Sequence, residues 1–586
     1  KTKLAVRAGG ISASNGTSIG VGASFALIYA ENKVLAMIED GTAAVSCGGD
    51  LKVNAIKHKV TMADFELSLD KSMLFTDTSG LSPEDKANVK PGILNIEKNG
   101  NGYAVTINMS TDKLIDAIDL MNFLSSVNYY AEALGGAIVT PGGSATATLA
   151  GSFAMLFYGN EVSAYVGKLA GDDAVTVAGN AEVSARNETT ARLIAGSLNV
   201  SPATLGVGLT VGSIANGVGT TDITRAETAG RVIAGGTFTQ KAENDVDYLS
   251  VTVAASVAPG ASGNPIGGAI NVIDMQNHVE SIVTGQIDAA NDVTVQALNN
   301  SRLIIVPLAI AAGAGSTVAA GVSVSVIVTD TITKALVDAA IIHSNNGSVT
   351  VKAETEEGLM AFTTSGAATT GTVAAGATFA VLVSNSETES RVNDSTITAM
   401  NDIEVLAKGD SWTLTTIIAA TASSNAAVSG SVAVSVFERY VGAKVTGSSV
   451  LTAENGNILV DAKADDFFID VILAAGGGSN AAVSGSIPVI ISSSTVEAIV
   501  DGKDPQNLAK LTAGDSIGVL ANLMGESYIA AGALSASGNA AIGATVDTAV
   551  YENIVTASVD NAILNAKCET LSNREIGVPN RENRRR

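Results

Sequence analysis

The chain has little of what small cross-linked or catalytic domains are built from. Its 586 residues include 2 cysteines, 10 prolines, 3 histidines and 1 tryptophan, and aromatics make up only 4%. Cys47 and Cys568 stand near opposite ends of the sequence, so an extended array keeps them from bridging, and no disulfide framework or cysteine-based metal site is written here. His58, His278 and His343 sit in unlike settings, without serine, cysteine or metal-ligand spacing around them. No nucleophile elbow, phosphate loop or zinc motif occurs, and the expectation is a protein that is not an enzyme. Basic residues are also scarce. Against 57 Asp and Glu there are 34 Lys and Arg, a formal charge of −23. That balance argues against unaided nucleic-acid binding, which needs clustered cations, and favours a surface that resists clumping.

What fills the sequence instead is Ala, Val, Ile and Leu alternating with Ser and Thr, together with 60 glycines. Such alternation is that of strands with small core side chains. The run Leu303 to Thr329 has no charge and the length of a membrane helix. It contains Gly313-Ala-Gly315, Ser316, Thr317, Ser323 and Ser325, alternates as strands do, and recurs along the chain. A transmembrane β-barrel alternates in the same way but calls for aromatic girdles, and Trp412 is the single tryptophan. No membrane span is therefore expected in this segment.

The recurrence is the main signal. Relatives of Gly456-Asn-Ile-Leu-Val-Asp-Ala462 close on Ala55, Ala185, Ala242, Ala297, Ala353, Ala407, Ala462 and Ala521, with gaps of 130, 57, 55, 56, 54, 55 and 59 residues. A period of about 55 predicts a stacked array in which each unit buries its apolar surface against its neighbours. The unit from Asp410 to Asp465 reads as an arm, Trp412 to Ala420, a small-residue turn at Ser423 to Ala427, and a second arm, Val432 to Val436 then Val441 to Val445. Two short strands follow, Ser449 to Thr452 and Ile458 to Ala462, with Asn455-Gly456 as turn between them. The sequence SNAAVSGS occurs at 424–431 and again at 479–486, and residues this small let two sheets approach closely. One coil per unit is preferred over two smaller ones, because the arms and short strands close a circuit only together.

The long gap marks an insertion. Asn128-Tyr-Tyr-Ala-Glu132 matches the arm start Asp466-Phe-Phe-Ile-Asp470, which divides the chain into solenoid at 1–59, an inserted α+β module at 60–127 and solenoid again at 128–586. Within the module Phe65 to Leu69 reads as a strand. Ile93 to Lys98 and Tyr103 to Asn108 form a hairpin about Asn99-Gly-Asn-Gly102, and a helix follows Ser110 or Thr111 with Leu114, Ile115, Ile118, Met121 and Leu124 on one face. Leu4 to Ala8 and Glu575 to Val578 are partial copies of the repeat, so a piece of a longer array is expected, with open coil edges available to further repeats or to copies of itself end to end.

Equivalent positions of a stack form columns. Two and four residues before the closing alanine the columns are apolar, as at Val349 and Val351 or Ile458 and Val460, and Gln240 departs from them. A polar side chain there needs a hydrogen-bond partner, an irregularity or a misaligned copy. Three residues after the alanine stand His58, Glu188, Asp245, Asn300, Glu356, Asp410, Asp465 and Met524. The acids Glu188, Asp245, Glu356, Asp410 and Asp465 offer an edge for a hard cation such as Ca²⁺. The plainer reading, a solvated corner, is preferred, since neighbouring carboxylates at strand spacing repel by only about 1 kcal/mol in water. Asp172-Asp173, Glu356-Glu357 and Asp465-Asp466 read as turn and corner charges.

The Ala/Gly/Ser-rich arm, the AVSV strand and Gly-Asn/Asp-Ile-x-Val-x-Ala together resemble very large bacterial surface proteins of the filamentous-haemagglutinin and leukotoxin-like adhesin type. The resemblance covers most of the chain outside the insertion. It implies an all-β, right-handed parallel β-solenoid shaft exported to the bacterial cell surface, with a role in adhesion to a host or bacterial surface ligand or in extracellular fibres and biofilm. It supplies no catalytic positions. A fibre subunit without a specific ligand, and a β-helix enzyme acting on carbohydrate, are the rival readings.

Overall fold

The computed structural model describes residues 2–14, 19–60, 127–139, 146–201, 204–217, 222–259, 263–567 and, as backbone, 75–77, 94–99, 102–107 and 570–577. Among them there is no α-helix. The coil that begins at Ile403 shows the plan. A leading strand, Ile403–Ser423, turns through two residues into a return strand, Ala426–Thr446, and a short strand, Val450–Ala453, closes the circuit before Ile458 starts the next coil. Ile403 pairs with Ile458, Ala426 with Ala481 and Val450 with Lys510, all in parallel. The protein is a parallel β-solenoid with three sheets and one coil per repeat. Ten strands stack along the leading sheet, about 43 Å at strand spacing, whereas a 21-residue strand is about 69 Å long. These coils build a plate wider than it is tall.

Two sequence readings need correction. The motif strand Ile403 to Ala407 and the arm from Trp412 are one strand of 21 residues, and so are Val432 to Val436 and Val441 to Val445. No residue between the paired segments forces a turn, since Lys408-Gly409-Asp410 continues the alternation. The acidic positions are consequently not at a corner: Asp410 is the eighth residue of its strand, on the outer face. Other readings stand. The valine and isoleucine columns line the core, and Gln240 is in register with Val183 and Val295. It is fully buried, and its Nε2 donates to the Ser281 hydroxyl (3.2 Å) and to the carbonyls of Ala226 (3.1 Å) and Ile282 (2.9 Å).

The Gly-Asn/Asp pair of the repeat has a mechanical explanation. At the turn into the leading strand, Asp402 Oδ1 accepts from the backbone N–H of Asn457 in the next coil at 2.8 Å, and Asn457 Oδ1 accepts from Ser516 N–H at 3.2 Å. Asp50 serves Asn180, and Asp292 serves Ser348, in the same way. At Gly179, Gly347 and Gly456 the carboxylate of Asp50, Asp292 or Asp402 occupies the space a Cβ would take one coil on, whereas Asp515 precedes Ser516. A Cβ on Gly456 would lie 2.6 Å from Asp402 Oδ1, so glycine is required before Asn457.

In cross-section the interior is a wedge. At the short sheet three walls enclose one continuous aliphatic core running from Val53 to Val555. Further along the strands come larger side chains, Tyr129, Tyr158, Tyr248, Leu303, Phe437 and Phe468. Towards the turn between leading and return strands the two sheets nearly touch, and the inward positions are Ser, Thr, Ala and Gly: a Cβ on Gly267 would lie 2.5 Å from the carbonyl oxygen of Ile310 in the opposite sheet. The close approach expected from the small-residue turn is thus present. At the edge of the wedge an amide ladder links coils, Asn539 Nδ2 donating to Asn480 (3.0 Å) and Asn480 to Asn425 (2.6 Å).

The insertion interrupts a single strand. Leu51–Lys57 and Tyr129–Val139 lie end to end against the one strand Ala181–Val200, with Lys57 opposite Asn187 and Tyr129 opposite Ala191. Inside the insertion Leu94–Asn99 pairs antiparallel with Gly102–Ile107, the expected hairpin, and Phe75–Asp77 adds a third, parallel strand. The expected strand at 65–69 and helix after 110 lie outside the described residues.

The tight seam yields a direct test. Gly321→Val, whose side chain would meet the backbone of Gly366 across the seam, is expected to destabilise the fold by about 3 kcal/mol. Val324→Ala, on the outer face three residues on, should cost less than about 1 kcal/mol. Equal losses in denaturant unfolding would refute the wedge geometry.

Candidate functional site: the root of the insertion and the buried charges behind it

Asn128 ties the strand break together. Its Nδ2 donates to the carbonyls of Thr2 (3.0 Å) and His58 (3.2 Å), and its Oδ1 accepts from the N–H groups of Val60 (3.3 Å) and Thr190 (3.1 Å) and from the Thr190 hydroxyl (2.9 Å). One amide therefore joins both ends of the insertion to the coils on either side. The acidic column supplies the second clamp. Glu188 accepts from Lys59 N–H at 3.1 Å and lies 3.4 Å from His58 Nδ1 and 2.8 Å from Arg186, while Asp245 pairs with Lys59 Nζ at 2.6 Å.

The five column acids are in one register, Glu188 beside Asp245, and Glu356 beside Asp410 beside Asp465. Glu188 and Asp245 meet the root's own cations, Asp410 pairs with Lys408 at 2.5 Å, and Glu356 is exposed. Among the described residues no three His, Cys, Asp or Glu side chains converge in the way a metal ion requires. Cys47 is a free, half-buried cysteine of the first short strand.

Behind the root lies a buried polar network that the sequence reading missed. Lys57, 3% exposed, donates to the Thr189 hydroxyl at 2.5 Å and sits over the Tyr129 ring. Burial holds its ammonium down to about 8, against the pull of Asp222 and Glu188. Asp222 accepts from Asn216 Nδ2 at 3.0 Å and Asn187 Nδ2 at 3.4 Å, and burial pushes its carboxyl up to about 6, with Lys57 opposing. Asn187, Asn244 and Asn299 extend the network coil by coil at 2.9 and 3.1 Å.

A second cluster lies further along the stack. Arg439 on a return strand faces Asp466 (3.2 Å) and Glu357 (3.7 Å) from two leading strands and also bonds Ser411, while Ser494 donates to Asp466 at 2.9 Å. Burial raises the Glu357 carboxyl, and Arg439 opposes the shift. A cavity of about 30 Å³, room for a water, lies beside this cluster against Leu303 and Leu359. Asp466 and Glu357 are therefore interior groups, not the corner charges expected of them. Alternation from the closing alanine was the available signal, since Asp466 is four residues after inward-facing Ala462, and Lys57 two after Ala55.

This geometry defines a β-solenoid that carries a rooted insertion, in which Lys57 and Asp222, and Arg439, Glu357 and Asp466, face opposite charges inside the stack while Asp470 has only hydroxyl partners. No protein-family model, curated protein or solved structure matches the chain.

Asp470 gives a pH test. It is 2% exposed, and burial pushes its carboxyl up to about 6 despite the Thr415 and Ser435 hydroxyls. The folded state then binds a proton between about pH 4 and 6 that the unfolded chain releases, so this group's cost is absent below pH 4 and complete above pH 6, where it reaches about 3 kcal/mol. Asp470→Asn should melt higher than the parent at pH 7.5, with the difference gone by pH 4; a constant difference would contradict a buried ionised carboxylate. Asn128→Ala should leave the melting temperature within a few degrees while speeding proteolysis at 58–60 several-fold.

Proposed function

We propose that the chain is a stiff structural and adhesive segment of a bacterial surface or secreted protein, with the solenoid as scaffold and the insertion as its contact-making part. The observation that supports this most is the register at the strand break. Between Lys57 and Tyr129 the neighbouring strand offers three residues, Glu188, Thr189 and Thr190. With 60–127 set aside, His58, Lys59 and Asn128 are the three residues left to match them, so the register on both sides of the break is that of one uninterrupted strand and the module is a graft that leaves the stack in phase. Residues that pin both ends of a graft to the coils beside it transmit load from the module to the shaft. The resemblance of the repeats to filamentous surface adhesins points the same way and is the basis for an extracellular location and a surface ligand. Among the described residues no helix is long and apolar enough to cross a membrane.

Deleting residues 60–127, with Lys59→Thr so that the inward position matches Thr189, should leave a cooperatively melting solenoid and abolish binding to bacterial or host cell surfaces. Retained binding by the folded deletion variant would move the contact to the solenoid faces.

A further inference from the structure

The half of each coil nearest the tight seam is inverted. Its inward positions are Ser, Thr, Gly and Ala, while its outward positions on the return sheet are large and apolar. One outward column runs through Phe25, Phe153, Ile270, Phe379, Val432 and Ile487, in register from coil to coil. Phe25 is 56% exposed, Phe379 44% and Ile487 43%. Across nine coils and five outward positions this face carries one charge, Asp274, at its border, and the charged residues lie on the other half of the strands. Its area is roughly 1,100 Å², well above the 300–600 Å² of an ordinary monomer's largest apolar patch.

Beside the bulky column runs one that is glycine or alanine in seven of nine coils, interrupted by Leu209 and Val322. Gly430 faces outward with nothing within 4 Å of where a Cβ would be, and Gly151, Gly268 and Gly485 share its register. Glycine in mid-strand costs roughly 0.5–1 kcal/mol where no close approach or special dihedral requires it. Within one copy Gly151, Gly430 and Gly485 are a loss, while Gly268 makes space for Leu209; as stretches of groove on either side of Leu209 and Val322 they are complementary to the ridge of the same face turned round. With strands antiparallel, the ridge of one copy fills the groove of the other and the reverse holds by symmetry.

We propose that the outer face of the return sheet is the docking surface for a second copy of this chain, sheet against sheet with strands antiparallel, so that only the apolar halves overlap. Three observations select this occupant. Two such faces bury about 2,200 Å², within the range of stable homodimers. The face is self-complementary in ridge and groove. The antiparallel arrangement carries the acid-rich halves, including Glu31, Asp330, Glu387 and Glu438, to opposite outer sides, which separates like charges. The leading sheet is less suited, because Tyr130, Ile194 and Leu249 on its outer face are packed around Val127 at the insertion root. This contact is lateral, distinct from end-to-end stacking of coil edges, and does not depend on the adhesive reading.

Sedimentation velocity on the 586-residue chain at micromolar concentration tests it. A dimer that persists in high salt is expected. Val432→Lys with Ile487→Lys should return it to monomer, and the milder Val432→Thr with Ile487→Thr should raise the dissociation constant at least about tenfold. The control Thr416→Lys with Leu473→Lys, on the outer face of the leading sheet, should leave the dimer intact. Circular dichroism and melting confirm that each variant is folded. A folded parent that stays monomeric, or a dimer indifferent to the return-sheet variants, overturns the proposal. So does a monomer that floats with phosphatidylcholine vesicles, which would assign the face to lipid.

Discussion

Everything in this molecule depends on parallel strands stacking without slipping. A one-residue slip would turn every side chain of a coil to the wrong face, and the coil has 21-residue strands on both long sheets to lose at once. The protection sits at the turns. Before five leading strands an Asn or Asp (Asp50, Asn180, Asp292, Asp402, Asn457) accepts the backbone N–H of the equivalent residue one coil on, with a glycine making space at Gly179, Gly236, Gly347 and Gly456, and the asparagine ladder Asn425–Asn480–Asn539 links coils at the other edge. These bonds are available only in one register, so they set the phase while the aliphatic columns supply the driving force.

The fixed phase explains why so much of the fold was legible. A period of about 55, read off Ala297, Ala353, Ala407 and Ala462, is the coil length because each alanine pairs with the next. The same phase singled out Gln240 as a departure from the core column, and of the explanations open in the sequence the structure shows the hydrogen-bonded one. The candidate site was less readable. The acids after the alanine looked like corner charges because no turn residue was needed to end the motif strand, and the strand in fact continues through them. Lys57, Asp222 and Arg439 escaped notice, and Glu357 and Asp466 read as corner charges, because a charged residue in an alternating pattern is ordinarily assigned to the outside. Here two sheets far enough apart to hold tyrosine and phenylalanine also leave space for ion pairs.

The apolar face was hidden by a related assumption. Alternation separates two faces but does not say which is inside, and the default gives the interior to the larger apolar side chains. At the seam, contact between backbones reverses that assignment: Gly267 and Gly321 are interior while Ile270 and Val324 are not. The reversal follows from the wedge, and the wedge from short turns, five residues before Asn264, four before Val318 and two before Ala426, that join strands of different sheets.

The break between Lys59 and Asn128 carries a consequence beyond this insertion. Because the stack counts only residues that occupy a rung, a module whose ends lie side by side adds nothing to the count, whatever its length. Every leading strand offers the same opportunity at the same height, as at Lys408-Gly409-Asp410. The solenoid is in this sense a socketed rail: coils fix the spacing of attachment points to about 4.8 Å multiples, and the identity of what is mounted on each is left free to vary without refolding the rail.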